Sequence, residues 1–460
     1  MAGGRGGCLR AAVARADGMK RSRLVDLLMR PAVAGTMSAL ILRALTLASR
    51  FLLSLLLARM LTPAEMGEYG LLTAVLAFAL LAVGLEFYSY TLREMVPATP
   101  ERRIRIIVDQ IALCIGALLA IGVVVGGATF AGIFPIRLAP WFLLLLVTEH
   151  VSLEATRILI ITSRPVRAYV GVFLRGGIWV YAIALLMFTT PSTRTLETVL
   201  AWWALGGAAA VGFSAISLSE LPWRGLGEYR PDWSAIRQGL RTARPFMLTA
   251  GGALVISYVD RFVIDEFVGR DALGIYTFYS TILIGLLSLG ASVSHQFLPK
   301  VIAGHAAGAL AYRAALRSFF WSMLALASCA MIASGLVMKP MLAALGLSAY
   351  GSNIWVFYAM LPGIFLRMMA DVPSYALYAA RSDKYLLLCN LGSAVVSTVL
   401  NLLLVPRFGI YGAALAGGVA STVLFVSLMA LAFRKVSGNG GERRAVDAVG
   451  LPTDPDMLYP

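Results

Sequence analysis

Twelve long apolar runs occupy most of the chain between about residues 33 and 434, and many of them reach 20 residues or more. A helix needs roughly 20 apolar residues to cross the hydrocarbon core of a bilayer. Only 14% of the residues are charged, whereas soluble domains have about 25%. The sequence therefore predicts an all-α polytopic membrane protein with about 12 transmembrane helices. It lacks the short alternating strands of membrane β-barrels.

The positions of lysine and arginine support a count of twelve transmembrane spans. With boundaries good to a few residues, the predicted spans cover residues 33–60, 68–92, 104–133, 138–162, 168–190, 195–219, 236–264, 271–298, 310–338, 352–380, 384–406 and 410–434. If the N-terminus is inside, 28 of the 39 lysines and arginines lie in inside segments, 6 in outside loops and 5 within spans. Because basic residues collect in cytoplasmic loops, this alternation predicts that both termini are cytoplasmic. It also explains the net charge of +15 without nucleic acid as a partner.

The two halves of the chain resemble each other. Residues 220–235, the longest break between spans, are polar, basic and contain proline and glycine, as expected of a linker between six spans and six. The motif Gly-x-Tyr at Gly67 recurs at Gly274, so that it leads the second span of each half. Since six is an even number, both halves begin on the same side. The repeat is therefore parallel, about an axis along the membrane normal.

This pattern predicts five parts of the chain. They are a basic, disordered cytoplasmic tail over 1–32, an N-terminal six-helix lobe over 33–219, a cytoplasmic linker over 220–235, a C-terminal six-helix lobe over 236–434 and a cytoplasmic tail over 435–460. Two such lobes, facing each other, describe a transporter that rocks about a central cavity.

Three stretches of sequence resemble a known family. LARMLTPAEMGEYGLL, residues 57–72, and GLEFYSYTLREM, residues 84–95, resemble the ends of the first and second helices of polysaccharide exporters. DRFVIDEFVGRDALGIY, residues 260–276, resembles their seventh-to-eighth junction. These exporters are the O-antigen (Wzx-type) flippases of the multidrug/oligosaccharidyl-lipid/polysaccharide (MOP) superfamily.

The resemblance implies a function in surface polysaccharide biosynthesis. It implies that undecaprenyl-pyrophosphate-linked oligosaccharide moves by alternating access from the inner to the outer leaflet of the bacterial inner membrane. The partners are then the lipid-linked oligosaccharide and membrane lipids, with polysaccharide polymerase machinery as a further candidate. The resemblance implies a transporter, which is not an enzyme and has no catalytic residues.

Three arginines within spans are candidates to bind an anion. Arg43 and Arg50 are seven residues apart on the first span, which places them on one helix face. Ionisable residues inside a membrane are costly and usually face a cavity or a partner. Arg175, in the fifth span, has no acid within one helical turn. We expect these arginines to bind the pyrophosphate that the resemblance implies, unless they pair with acids on neighbouring helices.

Two further pairs of opposite charges lie within spans. Asp260 is adjacent to Arg261, and Arg367 lies four residues before Asp371, so that the members of the second pair can contact each other on one helix. Both pairs are candidates for gate elements or for structural ion pairs.

Other kinds of function remain open. A drug or cation antiporter of the same superfamily needs unpaired acids in the N-terminal lobe, yet the chain has no acid between Asp26 and Glu65. A lipid II flippase usually has fourteen helices, and this chain has room for twelve. A membrane enzyme needs catalytic acids or bases, and the predicted outer loops are short and hold no carboxylate cluster. The four cysteines show no metal-binding spacing, and we expect neither a metal nor a cofactor.

Overall fold

A computed structural model describes residues 31–221, 223 and 230–449. The tail predicted over 1–32 therefore lies almost entirely outside the described residues, as do the middle of the linker and the end of the C-terminal tail. The first half contains helices α1 (Pro31–Met60), α2 (Pro63–Gly84), α3 (Tyr88–Met95), α4 (Pro100–Phe130), α5 (Ala139–Ile161), α6 (Pro165–Phe173), α7 (Trp179–Thr189) and α8 (Leu196–Leu218). A π-helical turn, Leu174–Ile178, joins α6 to α7, and a 3-10 turn, Pro191–Thr193, follows α7.

The second half contains helices α9 (Trp233–Phe267), α10 (Arg270–Ala307), α11 (Ala309–Ala344), α12 (Ser348–Gly351), α13 (Ile354–Met369), α14 (Asp371–Ala379), α15 (Asp383–Phe408) and α16 (Ile410–Val449). The described residues contain helices and loops and no strand.

Eleven helical segments within the described residues are long and apolar enough to cross a membrane. Each coincides with one of the predicted spans. The remaining predicted span, the fourth, is α5, whose 23 residues include the polar side chains of Glu149, His150 and Glu154. The prediction of an all-α, multi-pass membrane protein is thereby confirmed.

Two predicted spans are interrupted. The second span ends as α2 at Gly84, because Leu85 and Glu86 adopt φ angles of 48° and 51°, a left-handed conformation that residues other than glycine rarely adopt. The tenth span consists of α13 and α14, which meet at Ala370.

The repeated glycines bring α2 and α10 into close contact. A Cβ atom on Gly67 would clash with the backbone carbonyl of Arg270, and one on Gly274 would clash with that of Pro63. One turn further along, a Cβ atom on Gly70 would clash with Thr277. Glycine is therefore required at this crossing because it lets the two backbones approach closely.

A capping box sets the start of α2. The Thr62 hydroxyl accepts a hydrogen bond from the backbone N–H of Glu65 (3.3 Å), and the Glu65 carboxylate accepts one from the backbone N–H of Thr62 (2.9 Å). This start places Gly67 where α10 crosses.

Ion pairs surround the crossing at the end predicted to be outer. Glu68 accepts hydrogen bonds from Arg137, in the loop before α5, and from Arg270 at 3.0 Å. Arg270 also pairs with Asp265 at 2.8 Å. The bond to Glu68 raises the pKa of Arg137 above its ordinary value, so this guanidinium stays charged. The Glu68–Arg270 pair joins the first half of the chain to the second.

Candidate functional site

A cavity of about 470 Å³ lies between helices from both halves of the chain. Four charged side chains line it: Arg50, Glu149, Arg175 and Arg261. Three are cationic and one is anionic, so the lining carries a formal excess of two positive charges. A site with this charge suits an anion better than a cation.

Arg50 is the charged residue of α1 that lines the cavity. Its side chain is exposed, although it lies in the middle of a membrane helix, because it faces the cavity. No carboxylate of a described residue forms a salt bridge with it. The predicted cavity position of Arg50 therefore agrees with its geometry.

Arg175 belongs to the π-helical turn between α6 and α7. Such turns often occur at functional sites because they change the direction of the side chains. The carbonyl of Arg175 accepts a hydrogen bond from Trp179 Nε1 at 2.9 Å. A Cβ atom on the next residue, Gly176, would lie 4.0 Å from the Arg50 Nε atom. The turn thus brings Arg175 and Arg50 to the same cavity.

Glu149, on α5, partners Arg175. The Arg175 Nε atom lies 3.5 Å from Glu149 Oε2, and Trp203 Nε1 donates a hydrogen bond to Glu149 Oε1 at 2.8 Å. Along its own helix Arg175 has no acid within one turn, so the sequence alone indicates no partner for it. The partner comes from the preceding span.

Aromatic side chains complete one wall of the cavity. Trp179, Trp203, Tyr69 and Tyr258 line it, and the rings of Tyr69 and Trp203 lie 6.1 Å apart. Phe51, Leu289 and Val337 also line the cavity and are exposed at its surface. The site therefore combines a cationic centre, aromatic rings and an apolar edge.

Arg43 lies outside this cavity lining. Its guanidinium donates a hydrogen bond to the Ser292 hydroxyl on α10 at 3.2 Å and lies 5.3 Å from the Tyr169 ring centroid. It therefore connects the two halves of the chain, on the inner side of Arg50 in the predicted topology. The structure brings Arg50 and Arg175 together and does not bring Arg43 to them.

Arg261 and Asp260 point to different partners. Arg261 is 2% exposed and donates to the Gly70 carbonyl at 3.0 Å and to Thr73 Oγ1 at 2.9 Å, both on α2. Asp260 accepts a hydrogen bond from the Tyr276 hydroxyl. The expected ion pair is therefore replaced by two separate sets of contacts, and Arg261 connects α9 to α2.

Arg367 and Asp371 also do not contact each other. Arg367 donates to the Ala253 carbonyl at 3.3 Å, while Asp371 accepts from Ser294 Oγ at 2.6 Å. Each side chain is held instead by a residue of another helix, Arg367 by Ala253 of α9 and Asp371 by Ser294 of α10. A role for either pair as a gate remains a prediction.

The fold is similar to that of solved membrane transporters. An inward-facing multidrug resistance MATE family transporter of the MOP superfamily matches with a TM-score of 0.71 and 13% identity, over 88% of this chain and 99% of that chain. The lipid II flippase MurJ, in an inward closed conformation, matches with a TM-score of 0.66 and 13% identity, over 92% and 94%. The chain has the fold of these transporters. An outward-facing MATE structure has a TM-score of 0.58 and 14% identity, over 88% and 94%.

No protein-family model and no curated protein sequence matches the chain. The structural neighbours agree with the resemblance found in the sequence in the fold alone, and membership of the MOP superfamily remains a prediction. The narrower Wzx-type membership remains a prediction.

Proposed function

We propose that the protein is a flippase for a polyprenyl-pyrophosphate-linked oligosaccharide, and that Arg50 and Arg175 bind the pyrophosphate. The observation that carries this proposal is the cavity with three arginines and one glutamate. A pyrophosphate diester carries about two negative charges and would balance them. The planar fork of arginine matches phosphate oxygens and can donate two parallel hydrogen bonds.

The other lining residues suit the remaining parts of such a substrate. The half-buried ring of Trp203 offers an apolar face for a sugar. The exposed apolar residues Phe51, Leu289 and Val337 form an edge along which a polyprenyl tail stays in lipid. In the predicted topology, an inside-negative potential favours outward movement of the headgroup by about 2.3 kcal/mol per charge per 100 mV.

A cation antiporter is the second candidate, because the neighbours include MATE multidrug transporters. The single acid of the cavity argues against it, since Glu149 is already held by Arg175 and Trp203. Lipid II flippase activity requires the same pyrophosphate chemistry with a different headgroup. The proposed site therefore separates anionic from cationic substrates.

A proteoliposome assay tests the proposal. Purified protein is reconstituted with a fluorescent polyprenyl-pyrophosphate disaccharide, and the fraction in the outer leaflet is measured by chemical quenching. We expect protein-dependent flipping of this lipid and no uptake of a cationic dye such as rhodamine 6G. Dye transport without lipid flipping would show that the antiporter is the correct function.

A further inference from the structure

A second concave surface lies on the other side of the wall formed by α2 and α9. It is a groove of about 770 Å³ between α2, α9 and α15. Phe78 of α2 lines the groove, and its ring lies 6.5 Å from the ring of Tyr258, which lines the central cavity. The two sites are therefore back to back and separated by this aromatic pair.

The groove is almost entirely apolar. Its lining consists of apolar side chains and glycine, with Thr398 as its one hydroxyl-bearing residue. The Thr398 hydroxyl donates to the Ala394 carbonyl at 2.9 Å within its own helix. The groove thus offers no free side-chain hydrogen-bonding group, and it lies within helices that cross the membrane. A hydrocarbon chain is the ligand that such a surface accepts.

A stripe of arginines leads into the groove along α9. Arg237, Arg241, Arg244 and the groove residue Leu248 follow one another at intervals of four, three and four residues, and all are exposed. This spacing places them on one helix face. None of the three arginines forms a salt bridge with a described residue.

A lysine stands at the same end of the groove on α15. Lys384 and Leu388 are exposed and precede the groove residue Val395 on the same face. α9 and α15 touch where a Cβ atom on Gly252 would lie 3.2 Å from the Asn390 carbonyl group. From this contact, Arg244 lies about 12 Å and Lys384 about 9 Å along its own helix, at 1.5 Å per residue. Both helices run from the inner to the outer side in the predicted topology. This direction places the cations of both helices beyond the same end of the groove.

We propose that an anionic phospholipid binds here, with its phosphate at Arg241, Arg244 and Lys384 and an acyl chain in the groove. An apolar groove alone would accept any lipid tail. The exposed cations at one end select a headgroup with net negative charge, because a zwitterionic headgroup cancels the attraction with its own cation. The bound lipid would contact α2 of the first half and both α9 and α15 of the second half. This site is independent of the central cavity and of its substrate.

Native mass spectrometry of the detergent-purified full chain tests this site. Phosphatidylglycerol and phosphatidylcholine are titrated separately, and the bound lipid is counted. We expect the Arg241→Gln, Arg244→Gln variant to bind phosphatidylglycerol roughly 25-fold more weakly, at about five-fold per charge, with phosphatidylcholine binding unchanged. The Arg241→Lys, Arg244→Lys variant keeps both charges and should keep the preference for phosphatidylglycerol. This result would show that the glutamine variant binds more weakly because it has lost charge.

Two further variants separate the groove from general surface charge. Arg313→Gln, Arg317→Gln removes two exposed arginines at the start of α11, away from the groove, and should leave the affinity unchanged. A Cβ atom on Gly251 meets only Leu81, at 3.8 Å, so Gly251→Leu should fill the groove and weaken binding of both lipids. The proposal would be overturned if the Arg313/Arg317 variant lost as much phosphatidylglycerol affinity as the Arg241/Arg244 variant. It would also be overturned if Gly251→Leu bound both lipids as tightly as the unmodified protein. Glycerophosphoglycerol at the same concentration should not compete, because it lacks the chain.

Discussion

The Nε atom of Arg175 lies 3.5 Å from Oε2 of Glu149, whereas Arg50, in the same cavity, has no salt bridge to a described residue. One arginine is thus held by a carboxylate and a neighbouring one is left for a ligand. The two therefore contribute differently to binding an anion. Arg50 supplies uncompensated charge, and Arg175 supplies donors whose direction Glu149 fixes.

The first prediction concerns Glu149. Glu149→Gln keeps an oxygen that can accept the Trp203 hydrogen bond but removes the charge opposite Arg175. If the cavity binds pyrophosphate, we expect tighter binding of polyprenyl pyrophosphate, by roughly five- to ten-fold for about 1 kcal/mol or more of released attraction. Equilibrium binding to the purified protein measures this.

Glu154→Gln is the matched control, because Glu154 lies on the same helix and pairs with Arg157 at 2.5 Å outside the cavity lining. A cation antiporter gives the opposite outcome. Loss of dye transport in Glu149→Gln, with no gain in pyrophosphate binding, would contradict the anion site.

The second prediction separates two roles of Arg43. If Arg43 binds the pyrophosphate, Arg43→Ala should slow flipping and Ser292→Ala should have little effect. If Arg43 only connects α1 to α10 through the 3.2 Å hydrogen bond to Ser292, both variants should slow flipping equally. We expect Arg43→Ala to be the slower of the two, since one hydrogen bond to Ser292 leaves most guanidinium donors free for a ligand. Identical flipping rates would leave Arg43 with the connecting role alone and end the prediction that it binds pyrophosphate.

The third prediction concerns the helix crossing at Gly67. Gly67→Val places a side chain against the Arg270 carbonyl, so α2 and α10 should separate at this end and expose the cavity there. The reporter is Ser54→Cys, a buried cavity residue, in a chain whose own cysteines have been replaced. Its labelling by a membrane-impermeant maleimide should rise several-fold.

Gly116→Val is the control for this experiment, because a Cβ atom at Gly116 meets nothing within 4 Å. Labelling that stays equal in the two variants would show that the crossing does not close the cavity.

The fourth prediction concerns topology. The alternation of basic loops places the exposed residues Ser192 and Ser352 outside, and Ser219 and Ser234 inside. Cysteines at the first two positions should react with an impermeant maleimide in intact cells. Those at the second two should react only after the membrane is permeabilised. Reaction of a cysteine at Ser234 in intact cells would invert the second half and refute twelve spans with both ends inside.

The sequence predicts the helices of this fold well because hydropathy and basic loops are both properties of consecutive residues. The repeat identifies Gly67 and Gly274 as equivalent, but only the structure shows that α2 and α10 cross there. The interruptions at Leu85 and Ala370 were missed, because nothing in the local composition distinguishes them from continuing helix.

The predicted site was harder to obtain, since partners come from other helices. Arg50 and Arg175 were identified from their charge alone, but their proximity depends on the π-helical turn and on how α1 packs against it. The pairs Asp260/Arg261 and Arg367/Asp371 were grouped by spacing, whereas tertiary contacts with Tyr276, Ser294 and α2 determine their geometry. Only the structure shows that Glu149, on another helix, is the acid that Arg175 contacts.

The most direct test of pyrophosphate binding by Arg50 and Arg175 is the flipping rate of a polyprenyl-pyrophosphate disaccharide in proteoliposomes. Each lost charge-assisted hydrogen bond should cost roughly 1.5–3 kcal/mol, so Arg50→Ala should flip at least ten-fold more slowly and Arg50→Lys should be intermediate. Arg59→Ala, which removes an exposed arginine of the same helix outside the cavity lining, should flip like the unmodified protein. We expect near-complete loss of flipping in Arg50→Ala, Arg175→Ala at unchanged protein level. Flipping at the unmodified rate in that double variant would show that the two arginines do not bind the pyrophosphate.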